Sequence, residues 1–189
     1  NLRHNQFYDH LVNLRKINRG IKLKYEFGIC PPSSKYAPPT NAEEYQILIH
    51  KNDKELILKK SDEIIKKYHV ATGKGGKGTK RKRGDSKTPL GVYRISKLIK
   101  SNRFHYFIQL DYPSLIDAWY GYKNEIINGN DFKRIAHAYK KRKFPPQDTN
   151  LGGQIGIHGI GKITKQKLSI QQEINWTNGC IALTNNDIN

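Results

Sequence analysis

Two residues near the C-terminus, His158 and Cys180, have the side-chain types and the settings that nucleophilic chemistry requires. His158 ends the short apolar run IGIH and is followed by Gly159, which lets the backbone turn tightly beside an imidazole. Cys180 follows Gly179 and leads into Ile181, Ala182 and Leu183, so its thiol stands at the mouth of a strand whose later residues anchor it. A thiol attacks as its thiolate, and an imidazole on a neighbouring strand can accept the proton and stay beside it as imidazolium. In such a site the Gly159 carbonyl would hold the other ring nitrogen, and the N–H groups of Gly179 and Cys180 would receive a developing oxyanion. The competing reading makes Cys180 a buried small hydrophobe, the usual fate of a cysteine in an apolar run. A third reading pairs it with Cys30 in a disulfide, which would consume the nucleophile. His50, His69 and His105 sit in strand-like runs, and no His/Cys spacing suits a metal, so neither metal nor cofactor is expected.

The elements that would carry this pair are mostly strands. Tyr45–His50, Glu55–Lys59, Ile64–Ala71, Gly91–Ser96 and Phe104–Leu110 are short, β-branched or aromatic, and bounded by Asn-Asp, Gly or Pro turn signals. One helix is expected within Asp131–Lys143, where Phe132, Ile135, Ala136 and Tyr139 share a face and the last turn is basic. Another is expected over Phe7–Ile17, from the spacing of Phe7, Leu11, Leu14 and Ile17. Residues 31–41, PPSSKYAPPTN, read as a linker. The expected organisation is therefore an N-terminal helix with a Pro-rich linker over 1–41 and a catalytic domain over 42–189.

Charge narrows the partners without selecting one. Lys and Arg number 34 against 16 acidic residues, a formal net charge of +18, so the surface attracts polyanions unless part of the charge is compositional drift. The stretch GKGGKGTKRKR (Gly73–Arg83) suggests a phosphate-binding loop but fails the required order, since Gly78 is followed by Thr79 and then Lys80. It reads instead as a mobile basic loop between strands, either in contact with an anionic polymer or merely solvated. The basic residues are not interleaved with aromatics in a nucleic-acid motif, so no specific nucleic-acid partner is expected. No apolar run is long enough to span a bilayer. The absence of Met, position 1 included, leads us to expect a natural chain that begins upstream, trimmed or freed of a secretory signal.

His158-Gly159 followed by Thr177-Asn178-Gly179-Cys180-Ile181 resembles the L,D-transpeptidase catalytic domain family (YkuD-like), whose pattern is His-Gly, an interval, then Ser/Thr-x-Gly-Cys-apolar. Gly84–Ile95 (GDSKTPLGVYRI) resembles the turn and strand ahead of that family's active site, and Ala71–Gly73 the strand end before it. Leu110–Ala118 and Leu151–Gly159 are similar to the YafK-type branch. The resemblance runs from about Tyr45 to the C-terminus. It implies a mainly β, L,D-transpeptidase-like β-sandwich with one or two short helices, in an exported protein of the periplasm or cell envelope. It further implies a cysteine acyltransferase that attacks peptidoglycan peptide stems through a thioacyl-enzyme on Cys180, with His158 as base and then acid. Gly159 would orient the imidazole, Gly179 would line the oxyanion site, and Trp176, Thr177 and Asn178 are expected to bind substrate. Asn178 and Ala182 stand where many relatives have His and Arg, so the cation that would bind a substrate carboxylate must come from elsewhere.

The acyl group would go to an amine, giving cross-linking or lipoprotein attachment. It could equally go to water, making a carboxypeptidase or an enzyme that releases a lipoprotein from the wall. An envelope lipoprotein or an anionic envelope polymer is the expected further partner. From a different class, the charge alone would fit a polyanion-binding module in which Cys180 is structural.

Overall fold

The computed structural model describes residues 45–189; the expected helix over Phe7–Ile17, the 31–41 linker and Cys30 lie outside the described residues. Strands β1 (Tyr45–His50), β2 (Glu55–Lys60) and β3 (Glu63–His69) form an antiparallel meander. Its register sets Ile47 opposite Leu58 and Ile49 opposite Leu56. The two-residue turn from β2 to β3 is made by Ser61, in the left-handed region at φ 52°, and Asp62.

The second sheet runs β4 (Ile95–Ser101), β5 (His105–Leu110), β6 (Gly156–Gly159) and β7 (Ile181–Leu183), in that order. β4/β5 and β5/β6 are antiparallel, whereas β6 and β7 are parallel. The main core is drawn from both sheets: Leu56 and Val70 on the first side, and Leu110, Ile155, Ile157, Ile181 and Leu183 on the second, with Tyr112 fully buried among them. Each such aliphatic side chain removed from water contributes about 1.5–3 kcal/mol. This is the expected mainly β, two-sheet architecture. The strand expected over Gly91–Ser96 starts later, at Ile95. Gly91 holds a positive φ of 148°, and Tyr93 turns inward to donate to Asp117 at 2.9 Å.

Beside the sandwich lie α1 (Leu115–Lys123) and α2 (Gly129–Lys140), the latter covering most of the helix expected at Asp131–Lys143. The sequence reading did not anticipate α1. It starts with a capping box in which the Ser114 hydroxyl accepts from Asp117 N–H while the Asp117 carboxylate accepts from Ser114 N–H. Two further short helices, α3 (Lys165–Glu173) and α4 (Asn185–Ile188), flank the C-terminal strands. A second core of Ala118, Ile127, Ile135 and Leu151 joins α1 and α2 to the loop that leads into β6. The helical pair thereby buttresses the segment that presents His158.

Candidate active site

β6 is short and buried throughout, and β7 lies parallel beside it with Ile157 opposite Ile181 and His158 opposite Ala182. His158 and Ala182, opposite one another, share one sheet face, and Cys180 immediately precedes β7. Ile157 and Ile181 point the other way, into the core. The β6/β7 pairing thus sets His158 on one strand and Cys180 at the entry to the next, although the two are twenty-two residues apart in sequence.

His158 is only 2% exposed. Its Nδ1 is 2.8 Å from the Gly159 carbonyl oxygen, which makes Nδ1 the protonated nitrogen and turns Nε2 into the available acceptor. Phe104 packs on the imidazole at 4.3 Å between ring centroids, and the Trp176 ring meets it edge-on at 5.8 Å. Burial pushes the imidazole below its usual pKa; the Gly159 carbonyl opposes this, and the positive charge of Arg103 adds to it. The backbone at Gly159 is crowded, since a Cβ there would lie 2.7 Å from both Asn185 Oδ1 and the Phe104 carbonyl oxygen. Only glycine lets this carbonyl stay beside the ring.

Cys180 is a free thiol, partly exposed, whose Sγ donates to the Gln154 carbonyl at 3.4 Å. Burial pushes the thiol pKa up, while the Gly156 N–H and the charge of Lys80 pull it back. Gly179 before it has φ 130°, and a Cβ there would sit 2.8 Å from the Lys87 carbonyl oxygen, so the Gly-Cys step also requires glycine.

The residues expected to bind substrate divide. Asn178 is exposed and Trp176 half-buried, and both border the site. Thr177 is 3% exposed, and its hydroxyl donates to the Cys180 carbonyl at 2.6 Å and accepts from Gly179 N–H at 3.2 Å. It shapes the loop under the nucleophile and has no free group for substrate. The Gly179 N–H, expected to receive an oxyanion, can reach one only as a donor shared with Thr177. Trp176 is itself fixed, donating from Nε1 to Gln171 Oε1 at 2.9 Å, while buried Gln171 donates to the Ala182 carbonyl at 2.6 Å.

Several contributors were not visible in the sequence. Gln154, which aims its carbonyl at Cys180, is in the left-handed region at φ 55°, a strained setting for a non-glycine residue. Gln147 holds it there: Oε1 accepts from Gln154 N–H at 2.6 Å, and Nε2 donates to the carbonyls of Tyr112 and Pro145 at 2.8 and 2.9 Å. Behind this loop Lys80 is 4% exposed and paired with Asp85 at 2.9 Å. Burial alone would raise the Asp85 pKa, but the N–H groups of Arg81, Lys82 and Lys87 together with Lys80 Nζ outweigh it and hold the carboxyl down at about 2.

This overturns the mobile-loop expectation for Gly73–Arg83. Arg83 donates to the Gln147 and Thr149 carbonyls at 2.9 and 3.0 Å, Arg81 stacks on Tyr120 at 3.6 Å, and Lys51 Nζ reaches the carbonyls of Gly78 and Thr88 at 2.9 Å each. No local pattern announces such contacts, because their partners lie dozens of residues away.

Comparison with known proteins agrees with this layout. The family model for the L,D-transpeptidase catalytic domain, YkuD, matches residues 44–189. No curated protein matches the chain. A solved structure described as that of Bdellovibrio bacteriovorus Bd1075 is similar at 20% identity and a TM-score of 0.45, covering 77% of this chain and 42% of that one. The chain therefore spans less than half of that protein's length. With the family match running the length of the domain, the chain belongs to the L,D-transpeptidase catalytic domain family, YkuD, whose members act on peptidoglycan peptide stems.

Proposed function

We propose that the chain is a peptidoglycan L,D-transpeptidase in which Cys180 is the nucleophile and His158 the base. The observation that supports this reading is the parallel β6/β7 register, which sets His158 beside Ala182, two residues after Cys180, while the Gly159 carbonyl occupies Nδ1 and leaves Nε2 as an acceptor.

Burial favours the neutral form of both groups, raising the thiol and lowering the imidazole, so the resting pair is thiol and imidazole rather than a preformed ion pair. The Cys180 thiol swings from the Gln154 carbonyl to His158 Nε2, loses its proton there, and sulfur attacks the carbonyl carbon of the third stem residue. The Cys180 N–H, helped by the shared Gly179 N–H, receives the oxyanion. As the C–N bond breaks, His158 gives its proton to the leaving amine of the terminal D-amino acid. A second amine then attacks the thioester carbonyl, passes a proton to His158, and releases the thiol with a new amide bond. With water in place of the amine the same steps give hydrolysis.

Ala182 is fully buried between Ala71 and His158, so no cation stands there. Arg103 is exposed at the rim, packs on Phe104 at 4.9 Å and extends its field to His158, and it is the cation we assign to the stem carboxylate. Such a substrate places the protein in the cell envelope, exported.

Intact-mass measurement of wild type and Cys180→Ala after incubation with tetrapeptide-stem muropeptides tests the reading. A thioacyl adduct on wild type alone, with loss of the terminal residue, is expected. Cross-linked dimers then indicate transfer and tripeptides hydrolysis. Turnover by Cys180→Ala equal to wild type would refute the assignment.

A further inference from the structure

β4 pairs with β5 along one edge and contributes no residue to either core. It is nevertheless rich in aliphatic side chains that stay in water. Ile95 is 56% exposed, Leu98 68% and Ile99 42%, and just before the strand Leu90 is 54% and Val92 68% exposed. Between Ser86 and Leu110 the chain holds Lys87, Arg94, Lys97, Lys100 and Arg103 and no acidic residue. Of these, Arg94 is paired with Asp111 at 2.8 Å, whereas Lys97 and Lys100 have no ion-pair partner among the described residues. The strand alternates so that both of its faces carry aliphatic groups and lysines.

Several large aliphatic groups left in water along one edge strand and the turn before it mark a contact surface. A second copy of the chain fits it poorly, because it would bring the same unpaired lysines to the edge and no carboxylate to meet them. A wall polysaccharide offers little for the aliphatic groups to bury against. The surface that supplies apolar depth and negative charge at the same place is an anionic lipid leaflet, where lysines stay at the headgroups and their neighbours enter the acyl boundary.

We propose that β4 with the preceding Leu90–Val92 turn is a peripheral docking surface for anionic membrane lipid. This goes beyond the catalytic reading. The strand is continuous with the site rim, since the β4–β5 turn carries Phe104, which packs on His158. Docking therefore brings the thiol to the boundary between membrane and wall.

The test is co-sedimentation of the full chain with vesicles of phosphatidylcholine alone and with about one-quarter phosphatidylglycerol, at low and at near-physiological salt. Binding is expected to the anionic vesicles and to weaken with salt. Val92→Ser/Leu98→Ser, which retains every charge, is expected to lower the affinity roughly tenfold or more. Lys97→Ala/Lys100→Ala should lower it by a similar factor at low salt. Both variants should keep the wild-type melting temperature and soluble-muropeptide turnover, so a failure of catalysis and a failure of docking are read separately. The inference is overturned if wild type stays in the supernatant with anionic vesicles. Undiminished binding by the Val92/Leu98 variant would overturn it too, as would variants that instead abolish a dimer seen in sedimentation equilibrium or retention on isolated sacculi.

Discussion

The run Lys80–Arg83 and strand β4 are both strongly basic, and the fold uses their charge in opposite ways. In the first, Lys80 is buried against Asp85, Arg81 lies on Tyr120, and Arg83 ties down two carbonyls of the 147–149 segment. These cations work inward, fixing the loop that ends at Gln154, whose carbonyl receives the Cys180 thiol. In β4, Lys97 and Lys100 point outward beside exposed aliphatics and bind nothing within the described residues. The contrast teaches that a formal net charge of +18 overstates the charge available to a partner. What separates the two runs is the presence of one carboxylate, Asp85, close enough to organise the first.

The largest effect that tests this contrast is loss of the buried pair. Lys80→Ala leaves the Asp85 carboxylate without a counter-ion, held only by the N–H groups of Arg81, Lys82 and Lys87, and a destabilisation of up to about 3 kcal/mol is expected in urea unfolding. Turnover should fall as well, although Lys80 touches no substrate, because Gly152 and the strained Gln154 peptide lean on this knot. A change under about 1 kcal/mol would place the pair with ordinary surface ion pairs and dissolve the distinction.

A smaller effect comes from proton linkage. The folded pKa of Asp85 is depressed to about 2 from an ordinary 3.8, so its contribution is fully present above 3.8 and is lost as pH falls through about 2. Allowing for solvent screening, the amount is roughly 1–2 kcal/mol. In Asp85→Asn the stability curve should be flatter over that acid range than in wild type, and parallel curves would deny the carboxylate this role. The smallest expected effect belongs to β4: Lys97→Ala or Lys100→Ala should change unfolding free energy by less than about 0.5 kcal/mol. A larger loss would show that these lysines also serve the fold.

Much of the architecture was legible because it is local. Alternation gave the strands of the meander, helical spacing gave α2, and Gly, Pro and Asn-Asp signals gave most of the turns. The strand near Ile95 was displaced by four residues because Tyr93, which looks like a strand residue, is drawn inward by Asp117, a residue twenty-four positions later. α1 was missed although Ser114 and Asp117 form its capping box, since the aromatic-rich YPSLIDAWY stretch carries only a weak helical face. The hydrogen bonds of the Thr177 hydroxyl to the Cys180 carbonyl and from Gly179 N–H could not be read from the sequence, since they depend on how the 177–180 loop folds back.

The sequence alone determined the chemical types at the site and their strand-end settings: a thiol and an imidazole, each beside a glycine and each joined to an apolar run. These follow from nearest-neighbour constraints, which act along the chain. Tertiary structure decided which cations among the described residues are paired, which carbonyl receives the thiol, and why burial favours the neutral forms of Cys180 and His158. Each of these depends on burial and on partners distant in sequence, such as Gln147 for Gln154 and Phe104 for His158, and desolvation is set only when the sheets close over the site.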